Sequence, residues 1–97
     1  MRLGLVAGTV IAARKDVRLE GTKLLLVRMI DATGTETSDE LIAIDTVGAG
    51  EGETVIVSEG SSARRSVGSN DSPTDAAVVG IVDHWYNGDT HHSGVDA

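Results

Sequence analysis

The chain contains no cysteine, which excludes disulfides and thiolate metal sites as sources of stability. It contains no phenylalanine, and Trp85 and Tyr86 are its only large aromatic side chains. No run of about 18 apolar residues is present, and the N-terminal stretch MRLGLVAGTVIAARKD lacks the cleavage site of a signal peptide. These absences predict a soluble, unprocessed, cytoplasmic chain whose interior is built from Val, Leu, Ile and Ala.

The chain is short, and its length limits the core that it can build. Its 97 residues correspond to one domain, and a chain of this size buries only about 60 to 65% of its unfolded surface. We expect a barrel domain over residues 1–86, with additional stability from oligomerisation. Residues 87–97 have almost no apolar content, and we expect them to form a flexible tail without regular structure.

Charge is distributed unevenly along the sequence. The net charge is −7, with +4 over residues 1–28 and −11 over residues 29–97. The net sign repels phosphate, and two adjacent aromatic residues cannot form a series of base-stacking platforms, so nucleic-acid binding is disfavoured. We interpret the basic residues of the first third as surface side chains that pair with nearby acids. They are Arg2, Arg14, Lys15, Arg18 and Lys23.

Aliphatic and β-branched runs recur between turn-forming segments and predict five strands. The predicted strands are residues 3–13, 23–31, 40–45, 54–59 and 75–83. The intervening segments are rich in Gly, Asp, Ser and Thr, which favour turns. Five short strands predict an all-β fold, either a small closed barrel or a sandwich. In the last connection, SSARR predicts a single helical turn capped by Ser61 or Ser62.

Several predicted strands are apolar on both faces, as in residues 24–27 and 76–79. Leaving about five such side chains in water would cost about 1.5 to 3 kcal/mol each, which is comparable with a domain stability of about 5 to 15 kcal/mol. We therefore expect another copy of the chain to cover this surface. Gly4, Gly8 and Gly80 lie within strands, and they indicate a bulge, a sharp bend or the close approach of another subunit.

The segment GAGEGE, residues 48–53, resembles a phosphate-binding loop in its glycine content. Such loops need a following helix, and a Walker loop ends in Gly-Lys-Ser/Thr, whereas here the strand TVIVSE follows. Glu51 and Glu53 also place negative charge where the anion would lie. The glycines are therefore interpreted as a tight connection between strands that needs unusual backbone angles or close contacts.

Candidate groups for chemistry do not assemble into a recognisable site. His91 and His92 lie in the polar tail, and we interpret them as solvated, whereas His84 follows the last predicted strand and is expected to pack on the barrel end or a neighbour. No serine lies in a G-x-S-x-G elbow, and the carboxylate pairs lie in predicted turns. We therefore assign no catalytic residue, metal ligand or cofactor, and we do not predict an enzyme.

Four stretches make the sequence resemble the EutN/CcmL family, the pentameric vertex proteins of bacterial microcompartment shells. They are LGLVAGTVIAARKD, LEGTKLLLVRMID, AIDTVGAGEGETVIVSEGSSAR and PTDAAVVGIVD, and the third is the most specific. The resemblance covers about residues 1–86. It implies a five-stranded OB-like barrel with a short helical turn, assembled as a cyclic homopentamer. It also implies a structural role in a cytoplasmic shell, with hexameric shell proteins as partners and with no catalysis and no nucleic-acid or membrane partner.

The resemblance assigns roles to two motifs. The glycine motif is expected at the rim where the pentamer meets adjoining hexamers, and it comprises Gly48, Ala49, Gly50, Gly52 and Glu53. The second motif is expected at a subunit contact and comprises Ser61, Ser62, Ala63 and Arg64. Close backbone approach at the glycines and the donor fork of the arginine would be the physical reasons.

A second hypothesis of a different class is an OB-like module that binds an oligonucleotide or a saccharide. The negative net charge and the two aromatic residues argue against it.

Overall fold

The computed structural model describes residues 1–68 and 72–94 of the chain. Within these ranges the strands are β1 Arg2–Val10, β2 Leu24–Ile30, β3 Glu36–Asp45, β4 Thr54–Glu59, β5 Ala76–Ile81, β6 His84–Asn87 and β7 Thr90–Ser93. The α-helix α1 spans Ser61–Ser66, and a 3₁₀ turn spans Val17–Leu19. No helix in the described ranges has the length and hydropathy needed to cross a bilayer.

The first five strands close into a barrel in the order β1-β2-β3-β5-β4, and β4 pairs back with β1. All neighbouring strands are antiparallel except β3 and β5, which are parallel. The prediction of a closed five-stranded barrel is confirmed. Strand β3 begins at Glu36, four residues before the predicted start, because Ile30 at the end of β2 pairs with Glu36 and the ladder extends through polar, exposed residues.

The core lies inside the barrel and is made of aliphatic side chains. Buried residues alternate with half-buried ones along β2, where Leu25, Val27 and Met29 point inward, as the two-residue period of a strand requires. The complete cluster comprises Val6, Leu25, Val27, Met29, Ala43, Ala49, Val55, Val57, Ala76 and Val78. Leu24 and Leu26 point outward and remain half-buried in the single chain, so β2 is apolar on both faces, as predicted.

The glycines within strands allow close packing inside one chain. A Cβ atom on Gly4 would overlap Val27 Cγ1, and a Cβ atom on Gly80 would lie 3.2 Å from Ile56 Cδ1. The β1–β2 register shifts between Val6 and Gly8, and the β4–β5 register shifts at Ile56, opposite Gly80. Bulges and close contacts between neighbouring strands therefore account for these glycines.

Helix α1 begins where the sequence predicts a helical turn, but its cap differs from the prediction. Gly60 is the N-cap residue with φ +69°, and no side chain makes a capping hydrogen bond. The Gly60 carbonyl accepts from the Ala63 and Arg64 amides at 3.1 and 3.3 Å. The predicted cap by Ser61 or Ser62 is therefore wrong, because both residues lie within the helix itself.

Strands β6 and β7 form a separate two-stranded hairpin after the barrel. The turn between them consists of Gly88 and Asp89. Gly88 has φ +62°, whereas no non-glycine residue in the described ranges has positive φ. Positive φ at the first turn residue alone is typical of the type II′ turn of two-residue hairpins. Strand β7 corrects the expectation that residues after Asn87 have no regular structure; residues 95–97 lie outside the described ranges. The division into a domain over residues 1–86 and a tail stays a prediction.

Candidate functional site

The glycine loop, residues 46–53, connects β3 to β4, and its first half is held by polar contacts. Asp45 Oδ1 accepts from the Val47 and Gly48 amides at 3.0 and 3.1 Å, and Gly48 adopts φ +78°. Lys23 Nζ donates to the Ala49 carbonyl at 2.8 Å and lies 3.9 Å from the buried Asp45 carboxylate. The loop therefore starts in a defined conformation that requires glycine at position 48.

The second half of the glycine loop is held by Glu53 and by strand β1. Glu53 Oε1 accepts from the Gly50 amide at 2.7 Å, so the carboxylate closes its own loop. The Gly52 amide donates to the Val6 carbonyl at 2.9 Å, and the Val6 amide donates to the Glu53 carbonyl at 3.0 Å. Gly52 has φ +85°. These bonds join the loop to β1 at its bulge, and the Glu53 carboxylate occupies the Gly50 amide.

The loop residues differ in what they expose. The Ala49 side chain is fully buried in the core, whereas Gly48 and Glu51 are exposed and Gly50 and Gly52 are half-buried. A Cβ atom on Gly48 would meet nothing within 4 Å. The five residues of the predicted rim motif thus lie in one compact loop. Its exposed residues are Thr46, Val47, Gly48 and Glu51.

Helix α1 lies at the other end of β4 from the glycine loop, and it carries the second motif. Ala63 is fully buried against the barrel, where α1 packs on β4 and β5. Ser61 and Ser62 are exposed, and Arg64 is half-buried. Within the described ranges, no hydrogen-bond or ion-pair partner is found for the Arg64 guanidinium. In this motif, Ala63 therefore belongs to the core, whereas Ser61, Ser62 and Arg64 lie on the surface.

An apolar groove of about 320 Å³ lies on the outer surface of the barrel. Ile42 at this groove is 50% exposed, and Lys15 and Asp75 are its charged residues. The apolar lining comprises Val10, Ala12, Leu19, Leu24, Ile42, Ile44 and Pro73. The groove forms part of the excess apolar surface that the sequence predicts.

Most of the basic residues in the first third are paired with acids, as the sequence analysis expects. Arg2 lies 2.6 Å from Asp39 and 3.3 Å from Glu59, and its hydrogen bond with Asp39 raises the pKa of its guanidinium. Arg18 donates to the Asp16 carboxylate at 2.7 Å, which lowers the pKa of Asp16 to about 2. Pairs of this kind on the surface contribute little to stability.

The hairpin brings His84 next to His91, although the sequence analysis expects His84 to pack on the barrel end or a neighbour and interprets His91 and His92 as solvated. Trp85 stacks on His92 with ring centroids 4.8 Å apart, and Trp85 Nε1 donates to the Ala32 carbonyl at 2.9 Å. On the other face, the rings of His84 and His91 share a hydrogen bond of 3.0 Å between Nδ1 and Nε2. The Gly-Asp dipeptide at residues 88–89, between strands that pair Asn87 with Thr90, is a hairpin signal that the sequence analysis missed.

Residue types that bind metal ions do not cluster in the part of the chain that the structure describes. In residues 1–68 and 72–94, no group of three or more His, Cys, Asp or Glu side chains is placed to hold a metal ion. Three features distinguish the surface. They are the hydrogen-bonded glycine loop, the three surface residues of the second motif on α1, and the apolar groove. These features suit contacts between proteins.

Comparison with known proteins gives consistent matches. The family model described as "Ethanolamine utilisation protein EutN/carboxysome" matches residues 1–83. The microcompartment shell vertex protein GrpN of Rhodospirillum rubrum is 53% identical over 83 residues, which cover 86% of this chain and 93% of GrpN. The carboxysome shell vertex protein CcmL of Synechocystis is 47% identical over 83 residues, or 86% of this chain and 83% of that protein.

Solved structures agree with this result. The structure of GrpN, described as a pentameric microcompartment shell protein from Rhodospirillum rubrum, superposes with a TM-score of 0.78 at 52% identity and covers 86% of this chain and 95% of GrpN. The CcmL structure from Gloeobacter violaceus superposes with a TM-score of 0.89 at 39% identity, covering 96% and 97% of the two chains. The chain belongs to the EutN/CcmL family.

Proposed function

We propose that this protein is a vertex protein of a bacterial microcompartment shell and that it works as a homopentamer. The observation that carries the proposal is the 53% identity to the shell vertex protein GrpN, whose solved structure is pentameric. The role is structural rather than enzymatic, and the protein resides in the shell of a compartment inside the bacterial cytoplasm. Nothing among the relatives favours the binding of an oligonucleotide or a saccharide.

The surface of the single chain supports assembly into a ring. A cyclic pentamer uses a heterologous interface, in which one surface of each chain meets a different surface of the next. The apolar groove supplies one such surface. Ile42 and the outward side chains of β2 are partly in contact with water in the single chain, so burying them against another subunit would be favourable. Covering them in the ring would provide the stability that a core of this size lacks.

The surface residues of α1 are the proposed subunit contact. Buried Ala63 fixes the helix on the barrel, so Ser61, Ser62 and Arg64 are presented at a defined position. The Arg64 guanidinium has five donors, and no described residue of its own chain accepts from them. A carbonyl or carboxylate of the adjacent subunit would satisfy these donors.

The glycine loop is the proposed contact with hexameric shell proteins. Its conformation is held by Glu53, Lys23 and Asp45, so the loop does not need to become ordered when a partner binds. Gly48 and Gly50 present backbone without a side chain, which allows another backbone to approach closely. The fully buried Ala49 anchors the loop to the core rather than contacting the partner.

The proposal is tested first by mass and then by shell closure. Native mass spectrometry of the purified chain should show five copies, and a stable monomer at micromolar concentration would contradict the proposal. For the loop, Gly50→Leu is informative because Gly50 is not among the glycines with positive φ, and a Cβ atom there meets only Glu53 Oε1 at 3.5 Å. The variant should therefore fold and form pentamers.

The Gly50→Leu pentamer should fail to close shells when it is co-produced with a hexameric shell protein, as judged by electron microscopy. Val47→Leu is the matched control, because Val47 is 40% exposed in the same loop and the substitution adds little bulk. Shells closed by the Gly50→Leu variant as efficiently as by the unmodified protein would refute the rim location while leaving the pentamer intact.

A further inference from the structure

The β6–β7 hairpin presents two different faces because side chains alternate along its strands. The strands pair His84 with Ser93, Trp85 with His92 and Tyr86 with His91. Trp85 and His92 share the face that carries the contact with Ala32. His84, Tyr86 and His91 share the opposite face, and all three are exposed.

On this exposed face the two histidine rings direct nitrogen atoms at each other. His84 and His91 are diagonal neighbours across the strands, with ring centroids 5.0 Å apart and planes inclined by 35°. His84 Nδ1 lies 3.0 Å from His91 Nε2. One nitrogen donates a hydrogen bond and the other accepts it, so the two nitrogens face each other across a short gap.

Two ring nitrogens at this separation can also ligate one metal ion once the rings turn so that both lone pairs point at the ion. With metal–nitrogen distances of about 2.0 to 2.1 Å, a nitrogen separation near 3 Å subtends an angle of about 90 to 95° at the metal, which is the cis angle of a tetragonal ion. A tetrahedral ion would need the nitrogens about 3.3 to 3.4 Å apart. The geometry thus favours Cu²⁺ or Ni²⁺ over Zn²⁺.

The charge around the pair also suits a cation. The hairpin itself, residues 84–93, contains no lysine or arginine, and its turn carries Asp89. The pair is exposed, so water can fill the remaining coordination positions. We propose that His84 Nδ1 and His91 Nε2 form a two-histidine site for a tetragonal divalent ion, with Cu²⁺ bound most tightly.

Binding requires both facing nitrogens to present lone pairs, so the ring that donates the hydrogen bond must carry its proton on its other nitrogen instead. The bound ion would then link β6 to β7. The affinity should fall in the order Cu²⁺, Ni²⁺, Zn²⁺, which follows both the cis angle and the general order of stability of these ions. Trp85 is the only tryptophan and is adjacent to His84, so bound Cu²⁺ should quench its fluorescence. This inference does not depend on the proposed role in a shell.

The test is titration of the full chain with Cu²⁺ by isothermal calorimetry and by electron paramagnetic resonance. His84→Asn and His91→Gln keep an amide near the position of each ring nitrogen, so the hairpin can retain a hydrogen bond while losing a good metal ligand. His92→Gln is the matched control on the opposite face. Amide NMR spectra of the hairpin verify that each variant keeps its fold.

The unmodified chain should bind one Cu²⁺ with nitrogen hyperfine structure in its resonance spectrum. Each of His84→Asn and His91→Gln should weaken binding by about tenfold or more, and His92→Gln should change it by less than about twofold. Equal binding by all four chains, loss in His92→Gln as large as in the other two, or no binding at millimolar Cu²⁺ would each overturn the proposal. So would tighter binding of Zn²⁺ than of Cu²⁺.

Discussion

The barrel and the hairpin are held together by different means. The barrel buries a continuous cluster of aliphatic side chains between five paired strands. The hairpin consists of two paired four-residue strands, to which ring pairs and a hydrogen bond between His84 and His91 are added. A hydrogen bond from Trp85 to Ala32 joins it to the surface beneath. A two-stranded hairpin alone is marginally stable in water. The comparison shows that the barrel determines the stability of the chain, whereas the hairpin depends on the surface beneath it.

The largest effect is expected from a substitution in the barrel core. Leu25→Ala should lower the free energy of unfolding by about 2 to 5 kcal/mol, because Leu25 is fully buried and its truncation leaves a cavity. Denaturant unfolding at a fixed protein concentration measures the loss. The hairpin control is Tyr86→Ala, which is 69% exposed and should change the same quantity by about 0.5 kcal/mol or less. If the two variants lost equal free energy of unfolding, the conclusion that the barrel rather than the hairpin determines stability would be wrong.

A smaller effect is expected where β1 and β2 are in closest contact. Gly4→Ala should cost about 1 to 3 kcal/mol, because the new Cβ atom would overlap the stiff, buried Val27 side chain. Adding Val27→Ala should cost less than the sum of the two single changes. Gly8→Ala is the control on the same strand, because its Cβ atom would meet only Glu51 Oε1 at 3.6 Å. Additive costs in the double variant would exclude the proposed overlap.

A local effect is expected from removing the contact between the hairpin and the barrel. Trp85→Ala deletes the stack on His92 and the hydrogen bond to Ala32. Amide hydrogen exchange should accelerate in β6 and β7, while the barrel amides keep their protection. Loss of protection throughout the barrel would show that the hairpin is part of the cooperative core.

The smallest effect is expected from acid acting on the turn beneath the hairpin. The hydrogen bond from the Thr33 hydroxyl and the bond from the Thr35 amide lower the pKa of Asp31 below its ordinary value of 3.8. The stabilisation from Asp31 is therefore complete above pH 3.8 and is lost as the pH falls through the lowered pKa.

Carboxyl chemical shifts and hairpin amide exchange, followed by NMR from pH 5 to about pH 2, should show the hairpin loosening as Asp31 is protonated. Asp31→Asn should exchange faster in the hairpin at pH 5, and the difference from the unmodified chain should shrink as the pH falls. Asp16→Asn is the control, because Asp16 is paired with Arg18 in another loop. If it altered hairpin exchange equally, the link to Asp31 would be wrong.

Much of the barrel could be predicted because its strands are marked by aliphatic runs. Strand β4 has the predicted bounds of residues 54–59, and β1, β2 and β5 differ only at their ends. The start of β3 at Glu36 could not be predicted from hydrophobicity, because residues 36–40 are polar and exposed and are held in the ladder by pairing with β2. A strand extended by its neighbour carries no apolar signal of its own.

The two motifs could be located in the sequence, but the internal structure of each could not be predicted from it. The sequence does not show that Ala49 is a core residue, because its burial depends on a loop held by Lys23, which precedes β2 and lies far away in the sequence. The sequence analysis named His84 and His91 but did not predict that they are neighbours, because polar residues dominate the hairpin. Their proximity depends on the turn at Gly88.

The position of β5 has a consequence for how the chain reaches its native state. Strand β5 fits between β3 and β4, pairing in parallel with Ile44 and Asp45 on one side and antiparallel with β4 on the other. Until residues 76–81 dock, the first four strands can form only an open sheet with unpaired backbone groups at both margins. Exposed margins of this kind recruit other chains into aggregates. Docking of the last barrel strand is therefore the event that protects a newly made subunit from misassembly.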